Sequence, residues 1–154
     1  MFFPSTAFLF FPFDTTGTIS SPPNGALINP GAWFDFLYNS RADYGITSLN
    51  YTVFLVTSAP VSLVPSAEFA TGHFFGRFAE PNYPGNPNPS NTPPAQLVMP
   101  DFAQSPGGFG VGKGISNATF YLVVLEEYVD GTATVGAQMS LTANEIIYNG
   151  TISS

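Results

Sequence analysis

The longest regular pattern in the chain is an unbroken two-residue alternation from Thr132 to Thr142. Ala133, Val135, Ala137, Met139 and Leu141 fall on one side, and Thr132, Thr134, Gly136, Gln138, Ser140 and Thr142 on the other. Side chains alternate across a β-strand, so this period predicts a half-buried strand. Upstream, residues 119–129 are rich in β-branched and aromatic residues, which fit a pleated surface. The first half of that run is apolar on both sides and is expected to lie centrally in a sheet. Asp130-Gly131 joins the two segments. Both residues tolerate positive φ, so the dipeptide predicts a two-residue type I′ hairpin.

Further strands follow the same logic. Leu49 to Thr57 carries Leu49, Tyr51, Val53 and Leu55 on one face and Phe54 and Val56 on the other, a pattern expected to be buried on both sides. Phe74 to Phe78 and Glu145 to Tyr148 are shorter strand candidates. Ala32 to Tyr38 reads as a strand or as a short helix entered through Asn29-Pro30; its aromatic crowding favours the strand. No segment repeats apolar residues at i, i+3, i+4 and i+7, the helical spacing. The expectation is an all-β chain: a single domain over residues 1–154 forming an antiparallel β-sandwich of jelly-roll type. At 154 residues, such a domain hides roughly 70% of the surface its unfolded chain exposes.

Two stretches do not read as ordinary strands. Residues 2–13 hold Phe2, Phe3, Phe8, Phe10, Phe11 and Phe13, six of the 16 Phe, interrupted by Pro4 and Pro12. Residues 80–114 hold eight of the 15 prolines and end in a glycine-rich run from Gly107 to Gly114. Proline has no N–H and a fixed φ, so the second stretch is not a central strand. It is expected to be an extended excursion, and connections of that length are usually functional or disordered.

Charge narrows the function. Charged residues make up 8% of the chain, against about 25% in an ordinary domain. Arg41, Arg77 and Lys113 are the whole basic complement and the net charge is −7. Nucleic-acid binding needs cations to displace phosphate counter-ions, and an anionic membrane needs the same; neither partner is expected. With no cysteine, there is no disulfide framework, thiol nucleophile or thiolate metal site. A hydrophobic content of 44% argues against disorder. The start Met1-Phe2-Phe3-Pro4 lacks the positive n-region and unbroken apolar stretch of a secretory signal. No apolar run reaches the ~18 residues of a membrane helix, so a chain soluble by itself or once assembled is expected.

Chemical motifs are sparse, and no catalytic residue, cofactor or metal ligand is assigned. The Gly107–Gly114 run has Gly114 where a phosphate loop places the Mg²⁺-holding Ser or Thr, and a strand follows it instead of a helix. His73 is the single histidine; without a second one or a nearby nucleophile, a hydrogen-bonded strand histidine outweighs a catalytic or metal-binding one. Glu126 and Glu127 are adjacent, so on a strand they point apart and cannot share a substrate; they are expected to mark where a buried strand emerges into solvent. Asp35, Asp43, Glu68, Glu80 and Asp101 show no spacing that suggests a glycosidase pair. Sequons start at Asn50, Asn117 and Asn149 and matter only in a glycosylating compartment.

The surplus of rings is what remains. Six phenylalanines in the first 13 residues read as an arm docking on a neighbour or as a core strand with its flanks. Apolar surface that a small domain cannot hide marks partner contacts. Phe is enriched, and Lys and Glu depleted, at the cores of such contacts. Two readings follow. The first is a structural assembly protein, a virion shell, decoration or spike subunit held by copies of itself or by other subunits, with Phe2, Phe3, Phe8, Phe10, Phe11 and Phe13 at the interface. It places the protein in a virion or outside the cell, and an extracellular filament subunit is a more distant variant. The second is a carbohydrate-binding β-sandwich with Trp33, Tyr83 and Asn82 as its ligand platform, and Tyr38 and Tyr44 as further rings.

Overall fold

A computed structural model describes residues 16–62, 71–83, 85–102, 115, 117–132 and 135–149. Among these the chain is all-β, with no helix and no closed barrel. Its strands are β1 (Thr18–Ser21), β2 (Ala26–Ile28), β3 (Trp33–Asp35), β4 (Leu37–Asn39), β5 (Thr47–Val56), β6 (Gly72–Phe78), β7 (Gln96–Val98), β8 (Ala118–Val129) and β9 (Gln138–Tyr148). One five-stranded sheet runs β2-β9-β8-β5-β6, and two ribbons pair β1 with β4 and β3 with β7. All pairings are antiparallel except β2 with β9, which is parallel. That departs from the all-antiparallel expectation. β1 and β2 already travel beside β9 in its own direction, because Thr142 Oγ1 donates to the Gly17 carbonyl and Asn144 Nδ2 to the Ile19 and Pro22 carbonyls.

The ribbons cover one face of the five-stranded sheet, and the core lies between them. From the sheet come Tyr51, Val53, Leu55, Phe120, Leu122, Val124, Ile146 and Tyr148; from the ribbons come Ile19, Phe34, Phe36, Tyr38 and Leu97. Ala32 to Tyr38 is therefore extended, as its aromatic crowding suggests, and inserts its even-numbered rings into the core. At one end of the core Phe102 stacks on Phe120 at 5.1 Å and donates its N–H to the Tyr148 hydroxyl.

The other end is polar. Glu126 is wholly buried, which corrects the expectation that it marks an exit into solvent. Only its neighbour Glu127 is half-exposed, paired with Arg77 at 2.8 Å. β8 continues inward at Glu126 because ribbon donors meet the carboxylate there. The Tyr38 hydroxyl donates to Oε2 at 2.7 Å, and the Arg41 N–H donates to both oxygens at 2.9 and 3.3 Å. Burial first, and then the Glu126 bond, push the Tyr38 hydroxyl far above its ordinary range, so it remains a neutral donor. Gly17 passes so close to Tyr38 and Glu126 that a Cβ would collide with both.

The hairpin also differs from expectation. Asp130-Gly131 does not close a two-residue turn; β8 ends at Val129 and β9 begins only at Gln138. Asp130 Oδ1 accepts from the Thr132 N–H and hydroxyl, which closes a local side-chain turn in place of the hairpin. A two-residue turn would set Val129 opposite Thr132 and turn Ala133 to Leu141 inward. The observed register sets Tyr128 opposite Gln138 and Phe120 opposite Ile146. Strand pairing has period two, so the two registers differ in which face every β9 side chain occupies. The observed one buries Ile146 and Tyr148 completely and leaves Met139 57% exposed.

Three substitutions test this account by chemical denaturation. Ile146→Ala is expected to lower stability by about 2–5 kcal/mol, and Met139→Ala by under about 1 kcal/mol. The two-residue hairpin register would reverse that order. Tyr38→Phe, which strips Glu126 of a donor without changing ring volume, is expected to cost about 1–3 kcal/mol.

Candidate functional site

The face of the five-stranded sheet turned away from the ribbons carries the most unusual surface. Its side chains come from the odd positions of β8 and β9 and the even positions of β5. Register places Ala143, Val123, Phe54 and Phe74 in one row across four strands. Glu145, Tyr121, Val56 and Gly72 form the next row, and Leu141, Leu125, Thr52 and Arg77 the row on the other side. Phe54 and Phe74 meet with ring centroids at 5.7 Å. Phe74 is 58% exposed and Leu27, at the β2 edge, 60%. Charge is confined to the borders, in Glu145 and the Arg77–Glu127 pair. An antiparallel sheet with one solvated face normally alternates apolar-in and polar-out. β5 and β8 are apolar on both sides instead, and none of the described strands packs over the outer side.

The outward side of the ribbons is mixed. Trp33, 69% exposed, stands opposite Val98, and Asp35 stands opposite Gln96 on the same face. Gln96 Nε2 donates to Asp35 Oδ1 at 2.9 Å. Leu37, 54% exposed, continues this face along β4.

Of the sequence-derived platform, Trp33 and Tyr83 are both exposed, on different elements. Asn82 and the exposed Tyr83 belong to a turn bridged from Asn82 to Asn86, with Asn82 Nδ2 anchored on the Ser48 carbonyl at the start of β5. Trp33 is on β3. Tyr38 is a core ring and Tyr44 is fully exposed on the Asp43–Ile46 turn. Phe2, Phe3, Phe8, Phe10, Phe11 and Phe13, the Gly107–Gly114 run and Glu68 lie outside the described residues. Asp35, Asp43, Glu80 and Asp101 sit on separate elements. Among the sequons, Asn50 is built into β5 opposite Glu127, whereas Asn117 and Asn149 are exposed at strand ends. Among the described residues no three His, Asp or Glu side chains converge as a metal site would require.

His73 stands on the edge strand β6 with its ring edge-on to Phe75 at 4.8 Å. Partial burial lowers its pKa below the ordinary 6.5. The unfolded chain therefore takes up this proton first as acid is added. Stability is expected to fall slightly as pH drops through about 6.5, and His73→Gln is expected to flatten that slope in a pH series of thermal midpoints.

The outer sheet face left a trace in the sequence, the doubly apolar strands, but which of their two faces is covered depends on where the ribbons fold. No protein-family model, no curated protein and no solved structure matches this chain.

Proposed function

We propose that this chain is a structural subunit of a larger protein assembly, a β-sandwich of jelly-roll type whose outer sheet face is covered by neighbouring subunits. The observation that carries the reading is the outer face of the five-stranded sheet, whose central rows of Phe54, Phe74, Val123, Leu125, Leu141 and Tyr121 have the composition of an interior. Val123 is already buried, Phe74 is 58% exposed and Phe54, Tyr121, Leu125 and Leu141 are partly buried, so completing their burial contributes roughly 2–4 kcal/mol at ~1.5–3 kcal/mol for each full burial. Association costs about 4–15 kcal/mol in lost freedom. One such contact is marginal and several together are secure, which is how a lattice subunit is held. The Phe-rich segment, Phe2 to Phe13, would add a second set of contact rings. Virion shell, decoration or spike subunits have this character. A net charge of −7 suits an outer position that does not condense nucleic acid.

A second reading, carbohydrate binding, draws on one specific observation: Trp33 is exposed beside the hydrogen-bonded Asp35–Gln96 pair. An aromatic plane flanked by a carboxylate and an amide suits a sugar ring. Trp33 is the only tryptophan, so a fluorescence titration with mono- and oligosaccharides reads this surface alone. A saturable change, lost in an Asp35→Ala variant, is the expected result if the reading holds, and a flat response ends it.

The assembly reading is tested by solution mass. The wild-type chain is expected to run well above its 16.4 kDa monomer mass, with dissociation weakened at least about tenfold by Phe74→Glu or by removal of residues 1–13. A wild-type chain that stays monomeric up to about millimolar concentration would discard the proposal.

A further inference from the structure

On the ribbon side of the core, where residues 79–95 cross beside β4 and β5, a cleft of about 220 Å³ opens. Phe36, Tyr38 and Tyr51 form one wall, and Pro93, Pro94 and Glu80 the other. Its volume is several times the ~30 Å³ share of one water, so it is more than the seat of a single structural water.

The polar groups of this cleft are unmatched. Tyr51 is 1% exposed, and its hydroxyl has no hydrogen-bond partner. Buried hydroxyls are normally paired. Glu80 makes no ion pair with any described residue. The two described arginines are engaged elsewhere, Arg77 on Glu127 at 2.8 Å and Arg41 over the Tyr128 ring at 4.5 Å. Burial, reinforced by Glu80 and then Glu126, raises the Tyr51 hydroxyl far above its ordinary range. It therefore remains a neutral phenol in a field set by two carboxylates. The rings are close, with Tyr51 at 4.9 Å from Tyr38 and 6.5 Å from Phe36, centroid to centroid.

Each class of occupant meets this wall differently. An anion is repelled by Glu80. A purely apolar molecule strips water from the Glu80 carboxylate and gives nothing back. A cation carrying N–H donors offers a charge-assisted bond to Glu80 and a positive group to the aromatic faces. The prolines and rings leave room for a short aliphatic stem.

We propose that the cleft binds an organic cation, an alkylammonium or alkylguanidinium group, with Glu80 as its counter-ion and the rings of Phe36, Tyr38 and Tyr51 flanking it. The cation is a free amine or a lysine or arginine side chain of another protein; the chemistry is the same. This site faces the ribbons, opposite the outer sheet face, and does not rest on the assembly reading.

The test is a titration of the full-length isotopically labelled chain, followed by amide chemical shifts. The probes are n-butylammonium chloride, n-butylguanidinium chloride, n-butanol as neutral isostere, and Nα-acetyl-lysine amide. Either cation is expected to shift the residues around Glu80 and Tyr51 saturably, with a dissociation constant of roughly millimolar order. Butanol is expected to bind at least about tenfold more weakly, and Glu80→Gln to weaken the cations by about tenfold while leaving butanol unchanged. Binding by the acetylated lysine assigns the site to a protein side chain, and its exclusion alongside butylammonium binding assigns it to a free amine; both support the proposal. Equal affinity for butanol and butylammonium, undiminished cation binding in a folded Glu80→Gln variant, or no saturable shift up to about 50 mM overturns it.

Discussion

A carboxylate in a dry core must be met by donors or carry a penalty of several kcal/mol, and Glu126 imposes that demand on everything around it. It projects from near the C-terminal end of β8 toward the ribbons, where the Tyr38 hydroxyl and the Arg41 N–H receive it. Meeting it fixes the height of β4 above the sheet and the path of the chain leaving β4. It also fixes the first described turn of backbone, because Gly17 runs where any side chain would strike Tyr38 and the carboxylate together. Apolar packing alone would let the ribbons slide over a smooth sheet. A directional acceptor with two donors does not.

The same polar end organises β9. Thr142 and Asn144 lie on the inner face of the sheet, and their side chains hold the β1 backbone at the Gly17, Ile19 and Pro22 carbonyls. β1 is thereby carried on side-chain bonds from β9 while it pairs through its own backbone with β4. This explains why a row of Thr, Ser and Gln faces inward. Its largely apolar counterpart, Met139, Leu141, Ala143 and Ile147 with Glu145 among them, is left on the outer side. The apolar outer face and the polar inner end are two results of one choice of register.

That choice is where the sequence stops being sufficient. The doubly apolar character of residues 119–129 is plain from composition, and the segment is the middle strand of the sheet. Leu49 to Thr57 and Ala32 to Tyr38 also fold as their residues suggest. The alternation from Thr132 to Thr142 is visible too, but alternation says only that two faces differ, not which is buried. Two of its five apolar members are alanines, whereas Ile146 and Tyr148 downstream have more to gain from burial. The larger pair decides the face, and Asp130 closes a local turn in place of the hairpin. Glu126 departs from the expected exit into solvent for a related reason: its donors, Tyr38 and Arg41, are 88 and 85 residues away in sequence. Trp33 and Tyr83 are exposed on different elements, one on β3 and one in the turn bridged from Asn82 to Asn86. The Tyr51–Glu80 cleft left no local signal, because its walls come from β4, β5 and the 80–95 segment.

Low charge ties these features together. A chain with 13 residues of Lys, Arg, Asp and Glu in all has few with which to solvate two broad faces. It buries one in the core at Glu126 and uses Arg77 and Glu127 on each other at the edge of the outer face. What is left cannot make the β5–β8–β9 surface polar, and the strand period gives those side chains no third direction in which to hide. A sheet whose central strands are apolar on both sides is satisfied only when both sides are covered. One side is covered by the ribbons, held in place through Glu126. For the other, the chain's own described strands offer nothing, and that uncovered side is the ground for the assembly proposed above.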